Sequence, residues 1–225
     1  MIIAIDGPAG AGKSSVSRAV ARNLGFSCLD TGAMYRAIAW LALAQGISLD
    51  NSAAIGRLAV VSQIEFVYEE GNPRPIGVKL DGVDVTKAIR TQAVDGAVSP
   101  VAAIPQVRKA LIAKQRKLAQ SGNFVVEGRD IGTAVFPDAS LKIYLCASAA
   151  ERARRRVAQN ERTGIGSTNV GEVKKSIEAR DKIDSGRATN PLKPARDAVQ
   201  IDSTGRSIGQ IVGRICSLMK ERGLI

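Results

Sequence analysis

Residues 2–24 read IIAIDGPAGAGKSSVSRAVARNL. An apolar run, Ile2 to Ile5, is spaced as a buried strand and ends at Asp6; Val16, Ala19, Val20 and Leu24 then recur at helical intervals. Between them GPAGAGKS, residues 7–14, places Gly7, Gly12, Lys13 and Ser14 at the spacing G-x-x-x-x-G-K-[ST]. Glycines let backbone N–H groups turn inward around phosphate oxygens, and the helix that follows presents its positive end to them. Lys13 is expected to bridge the β- and γ-phosphates, and the Ser14 hydroxyl to ligate Mg²⁺. A glycine-rich turn could exist only to connect a strand to a helix, but the strand before it and the helix after it are the context a phosphate cradle requires. The cradle establishes a triphosphate without saying where the phosphate goes, since GTPases, ATP-driven motors and small-molecule kinases share it.

Outward from the cradle, Gly25 ends the helix, Phe26–Leu29 reads as a second strand, and Asp30-Thr31-Gly32 turns into a helix running through Leu43. Residues 63–90 break this rhythm. Ile64–Tyr68, Ile76–Leu80 and Val83–Val85 alternate in a β sense around Gly71-Asn72-Pro73 and Asp81-Gly82, which predicts a small antiparallel insertion. A helix is expected from Pro105 to near Gly122, strands at Phe124–Val126, Leu141–Leu145 and Val199–Ile201, and helices over 148–159, 170–184 and Ile208–Met219. Strands alternating with helices imply an α/β fold with a parallel sheet covered on both faces.

The 225 residues are 45% hydrophobic and 24% charged, which suits one folded domain with insertions. The net charge of +11 points to an anionic partner: nucleic acid, an acidic surface or a phosphate-rich small ligand. Aromatic residues are only 4%, too few for a platform that stacks bases, so a phosphate-handling enzyme fits better. There is no histidine, which excludes histidine bases, metal ligands and triads and leaves Lys, Arg, Asp, Glu, Ser and Tyr to do any chemistry. Cys28, Cys146 and Cys216 are scattered without a C-x-x-C spacing, so neither a disulfide framework nor a zinc site is indicated, and a reducing cytoplasm is the expected compartment. The first residues lack the basic leader and long apolar core of a signal peptide, and no run approaches the length of a membrane span.

Arginines recur at the ends of these expected elements, and in a doubly wound sheet ligands collect at the carboxyl ends of strands. GPAGAGKS, LDTGAMYRA (29–37), IRTQAVDGAVSPVAAIPQVRKALIAKQR (89–116), EGRDIGTAVFPDA (127–139) and RDKIDSGRATNPL (180–192) together resemble the bacterial cytidylate kinases. The resemblance spans nearly the whole chain, with the motifs in family order. It implies a three-layer P-loop kinase fold with a five-stranded parallel sheet. It also implies an antiparallel insertion in the monophosphate-binding region and an arginine-rich lid. On that pattern the core is 1–30, 105–147 and 190–225, the insertion about 31–104, the lid about 150–168, and the helix 170–187 contacts substrate.

The activity so implied is transfer of the γ-phosphoryl group of ATP to CMP or dCMP, with Mg²⁺. ATP would lie on Gly7, Pro8, Ala9, Gly10, Ala11, Gly12, Lys13, Ser14 and Ser15. Carried over position by position, Tyr35, Arg36 and Arg129 would hold the acceptor phosphate, with Thr31 in the same site. Ser99, Arg108 and Asp130 would read the cytosine edge, Arg180 and Asp184 would contact the ribose, and Arg187 would lie near the phosphates. The readout has its own logic: Asp130 can accept from the exocyclic amine of cytosine, while uracil would oppose it with a carbonyl. No general base is needed, because the acceptor phosphate is already close to dianionic at neutral pH. Between Arg180 and Arg187 the chain departs from the more basic family segment, with Lys182-Ile183 and Ser185-Gly186 there, which touches only auxiliary contacts.

Residues 151–162, ERARRRVAQNER, are either a solvated helix face with local ion pairs or a lid whose arginines neutralise the transferring group. Arg152 and Arg156 share a face at i, i+4, as do Arg152 and Arg155 at i, i+3. Glu127 either holds waters of the Mg²⁺ shell or caps a turn at the end of its strand. The rival readings are a P-loop kinase for UMP, AMP or shikimate and, from another class, a P-loop NTPase stimulated by nucleic acid. On the kinase reading the partners are CMP, dCMP and ATP, with no nucleic acid or membrane, and a monomer is expected.

Overall fold

The computed structural model describes residues 1–225. In chain order the elements are β1 (Ile2–Asp6), α1 (Lys13–Leu24), β2 (Ser27–Asp30), α2 (Thr31–Ala44), α3 (Ser52–Val61), β3 (Ile64–Val67), β4 (Gly77–Leu80) and β5 (Val83–Asp84). There follow α4 (Gln92–Ala103), α5 (Pro105–Leu118), β6 (Phe124–Gly128), β7 (Leu141–Cys146), α6 (Ala149–Thr163), α7 (Val170–Gly186), β8 (Val199–Asp202) and α8 (Ile208–Glu221). Five strands form one parallel sheet in the order β2-β6-β1-β7-β8, and β3-β4-β5 form a separate antiparallel sheet. The α/β architecture and both sheets agree with the sequence expectation.

Alternation along β1 sorts its side chains between two cores. Ile3 and Ile5 join Val16 and Val20 of α1 and Ile211 and Ile215 of α8 on one face, while Ala4 faces Leu29, Val126, Ile131 and Val135 on the other. The largest core lies away from the sheet. It is built by α2, α3, α4 and α5 around Met34, Ile38, Ile55, Val101, Val107 and Leu111, with Ile64, Val78 and Leu80 of the small sheet against them. The helices α6 and α7 share only Ala153, Val157, Val173 and Ile177, a small apolar seam for the arm that carries the arginine-rich segment.

Two helices were not legible in the sequence. The first, α3, is short and entered through the Asn51 cap, whose Oδ1 accepts from Ala54 N at 3.1 Å. The second, α4, contains Gly96 and Pro100, residues that usually break helices, yet Val94, Val98 and Val101 are buried so completely that packing holds it. Thr31 and Gly32, read as a turn, begin α2, because Asp30 Oδ1 accepts from Ala33 N at 3.2 Å and caps that helix. The helix from Pro105 stops at Leu118, short of Gly122.

The glycine at the mouth of the cradle has no substitute. Gly7 has φ +149°, and a Cβ built there would stand 2.0 Å from the Leu145 carbonyl oxygen, so β7 can lie beside the cradle only because residue 7 has no side chain.

Candidate active site

The parallel register brings three strand ends together. Asp30 of β2 and Glu127 of β6 are partners, as are Asp6 of β1 and Gly128 of β6, so three carboxylates stand where the cradle and α2 begin. A cavity of about 390 Å³ opens there, lined by the cradle residues Ala9, Gly10, Gly12, Lys13, Ser14 and Ser15. Across it stand Thr31, Tyr35, Arg36, Arg108, Arg129, Arg180, Asp184 and Arg187.

In the cradle Lys13 Nζ donates to the carbonyls of Gly7 and Pro8 at 2.8 and 2.7 Å. Burial, with Arg129 close by, holds its ammonium well below the usual lysine range. Ser14 Oγ donates to Glu127 Oε2 at 2.9 Å, which places the hydroxyl and the carboxylate expected around Mg²⁺ side by side. Burial, reinforced by Asp30, pushes Glu127 up to about 7, as suits an acid built to face added positive charge. No group of three or more Cys, Asp or Glu side chains clusters as a protein cage for a metal ion. One hydroxyl and one carboxylate beside a phosphate cradle fit Mg²⁺, an ion held largely by substrate phosphates and water. Thr31 Oγ1 donates to the Glu127 carbonyl at 2.8 Å and so ties the start of α2 to the end of β6.

Arg129 and Asp130, neighbours in sequence, face different partners. Arg129 Nε donates to Asp184 Oδ2 at 2.9 Å, whereas Asp130 Oδ2 accepts from Arg108, whose side chain is fully buried. Arg187 adds a second charge to Asp130 at 3.5 Å and donates from Nε to the Asn190 carbonyl at 2.6 Å. Arg108 also donates to the Ala102 carbonyl at 3.1 Å and lies over the Tyr35 ring, 5.4 Å from its centroid. On α4 the buried Ser99 Oγ has no hydrogen-bond partner. Arg36 donates to the Ile89 carbonyl at 3.1 Å and pairs with Asp95. Burial, with Arg129 adjacent, pulls Arg180 down to about 10, and its Nε is an unpartnered buried donor.

The arginines of α6 divide. Arg156 lines the cavity, along with Arg155 and Arg162. Arg152 stands outside that lining. It donates from Nε to the Ala147 carbonyl at 3.0 Å and from Nη1 to the Ala9 carbonyl at 3.1 Å, and it pairs with Asp181, so it fastens α6 to the cradle and to α7. Ser99 and Asp130 are buried and do not line the cavity, whereas Arg108 and Arg187, the partners of Asp130, and Val98, next to Ser99 in the chain, do.

Sequence reasoning missed Asp6 as a site residue. Its carboxylate accepts from Ile131 N and Gly132 N, both at 2.8 Å, and so anchors a π-helical turn, Ile131–Val135, directly after Arg129 and Asp130. Its position at a strand end before the cradle was visible, but a contact with residue 131 was not. Burial, opposed by those two amides, raises the Asp6 carboxyl from 3.8 to about 6. A folded pKa above the unfolded one means that the folded chain holds the proton more tightly. The stability of the wild type relative to Asp6→Asn is therefore expected to be greatest below about pH 4 and to shrink as pH rises through about 6; melting temperatures of both proteins across that range measure it. A margin that grows with pH would contradict this account of Asp6.

Residues 3–221 match the family model described as Cytidylate kinase. A cytidylate kinase from Desulfitobacterium hafniense is 50% identical over 220 residues, covering 98% of this chain and 93% of the relative. A bifunctional pantoate ligase/cytidylate kinase from a Nostoc species is 47% identical over 221 residues; the match covers 98% of this chain but 41% of that longer protein. A solved shikimate kinase from Acinetobacter baumannii in complex with shikimate superposes with a TM-score of 0.47 at 14% identity, over 100% of this chain and 95% of its own.

Proposed function

The chain belongs to the cytidylate kinase family, and we propose that it transfers the γ-phosphoryl group of ATP to CMP or dCMP through the cavity between the cradle and the Arg108–Asp130 pair. An oxygen of the CMP phosphate forms a bond to the γ-phosphorus, the bond to the β-phosphate bridging oxygen breaks, and ADP leaves. No proton has to move for this, in keeping with a chain that lacks histidine.

The cradle amides and Lys13 would hold the triphosphate; Lys13 would exchange its bonds to Gly7 and Pro8 for phosphate oxygens. Mg²⁺, held beside Ser14 and Glu127, would neutralise phosphate charge as it develops. Arg36, Arg129 and Arg180 would orient the acceptor phosphate, since planar forks bind phosphate oxygens in pairs. Arg155, Arg156 and Arg162 of the lid face the same cavity and would stabilise the transferring group when the lid closes. Asp184, held between Arg129 and Arg187, would contact the ribose. We take 31–104 as the acceptor-binding insertion, about 150–168 as the lid and 170–187 as a substrate-contacting helix, in a monomer working in a reducing cytoplasm. Three free cysteines are consistent with that compartment.

One observation carries the choice of base: a fully buried arginine paired to a buried aspartate. Arg108 and Arg187 use part of the lone-pair capacity of Asp130 and leave room for one more donor, which the amine of cytosine supplies and the carbonyl of uracil cannot. A coupled assay of ADP release over CMP, dCMP, UMP, AMP and shikimate tests this. CMP or dCMP is expected to exceed UMP by about a thousandfold or more in kcat/KM, the scale on which unpaired buried polar groups reject a ligand. Turnover of UMP without CMP would overturn the reading.

A further inference from the structure

Outside the catalytic cleft, a second cavity of about 640 Å³ lies between α1, the antiparallel insertion and the lid helix. Arg18 and Arg22 of α1, Arg74 of the β3–β4 connection and Arg156 of α6 converge on it. Its acidic lining residues are Asp30 and Asp95, and each is already engaged, with Arg90 at 3.1 Å and with Arg36. The ion pairs of the molecule leave Arg18, Arg22 and Arg74 without a carboxylate. Arg18 is half-buried, and its Nε is buried with no hydrogen-bond partner.

The cluster is held in place. β2 is an edge strand, and the connection carrying Arg74 docks against it: Cys28 N donates to the Pro73 carbonyl at 2.6 Å, and the Tyr68 hydroxyl donates to the Cys28 carbonyl at 2.7 Å. Arg74 N donates in turn to Asn72 Oδ1 at 3.1 Å. Like charges are thereby brought together against their mutual repulsion; burial first, and then Arg74, lowers the pKa of Arg18.

We propose that this outer cavity binds the phosphate chain of a di- or triphosphate, at a site separate from the phosphate cradle. Uncompensated guanidinium groups on the walls of a cavity focus positive potential, and their forks match the oxygens of a phosphate chain. The volume lies in the range of small-ligand sites. Arg36, Arg90 and Arg156 line both cavities, so an anion in the outer one also draws on arginines that face the acceptor. Occupancy there raises the KM for CMP.

The test is calorimetric titration of tripolyphosphate into the full chain with ADP, Mg²⁺ and CMP present at saturation, so that the catalytic cleft is filled. The wild type is expected to bind one tripolyphosphate, more weakly as salt rises. The double variant Arg18→Gln/Arg74→Gln is expected to bind about a hundredfold more weakly, roughly tenfold for each charge-assisted contact removed. The same variant should keep the wild-type kcat and melting temperature, but its KM for CMP should no longer respond to tripolyphosphate. CTP titrated in parallel separates the sources of the chain: equal affinity assigns the site to the phosphates alone, and tighter binding assigns it to a nucleotide. The absence of a tripolyphosphate site in the wild type, or unchanged affinity in the double variant, would overturn the proposal.

Discussion

Asp130→Ala is expected to lower kcat/KM for CMP about a thousandfold while leaving ADP affinity within a few-fold of wild type, because on the proposed reading its carboxylate accepts from the cytosine amine. The substitution also removes the partner of Arg108, which is fully buried, and one partner of Arg187, which is 8% exposed. Breaking a buried pair from one side typically costs about 3–5 kcal/mol, since the remaining charge is neither paired nor hydrated. Folding stability should fall on that scale, and denaturant unfolding would measure it. Asp130→Asn keeps the volume and one acceptor, so it should be less destabilised and should still lose selectivity for CMP over UMP. The two variants separate recognition from folding. If Asp130→Asn keeps wild-type kinetics with CMP, Asp130 does not read the base.

Lys13→Met should separate activity from stability in the opposite direction. Loss of the ammonium is expected to reduce kcat by about a thousandfold, the effect of deleting one preorganised charge from a transition state. The nucleotide-free protein should nevertheless melt at the wild-type temperature or above it. The ammonium is buried, its pKa is held well below the usual value, and Arg129 stands near it. A lysine pKa that is lowered by folding means that carrying the charge at neutral pH costs stability, so a neutral residue of similar length relieves that cost. Differential scanning calorimetry with and without ADP and Mg²⁺ would resolve both parts. A drop of several degrees without nucleotide would show that the bonds from Lys13 to Gly7 and Pro8 outweigh the relief.

Both expectations illustrate a site whose charges are arranged against their own folding preference. Lys13 and Arg180 are driven down by burial and by neighbouring cations, while Asp6 and Glu127 are driven up by burial. An enclosed set of groups so displaced is poised for ligands of the opposite charge, which on the proposed reading are phosphate oxygens on one side and Mg²⁺ on the other.

The cradle, the five core strands and the small antiparallel sheet were legible because each follows from a local signal. Glycine spacing sets the loop, apolar runs set the strands, and turn dipeptides set the insertion. Helix α4 was not legible, because Pro100 and Gly96 argue locally against it and only the burial of Val94, Val98 and Val101 overrides them. The arginine-rich helix α6 was partly legible. Its arginines and their helical spacing could be read, but Arg152 and Arg156 were assigned the same role, and only the packing of α6 on the cradle and on α7 separates them.

The sequence by itself determined the phosphate cradle, the alternation of strands and helices and the exclusion of histidine chemistry, since these rest on residue types and short spacings. Tertiary structure alone decided that Arg129 turns to Asp184 while Asp130 turns to Arg108, and that Asp6 anchors the turn behind them. Their partners lie 22 to 126 positions away along the chain. No local pattern records a contact that exists only after β1 and β6 pair in register and bring the ends of distant segments into one cavity.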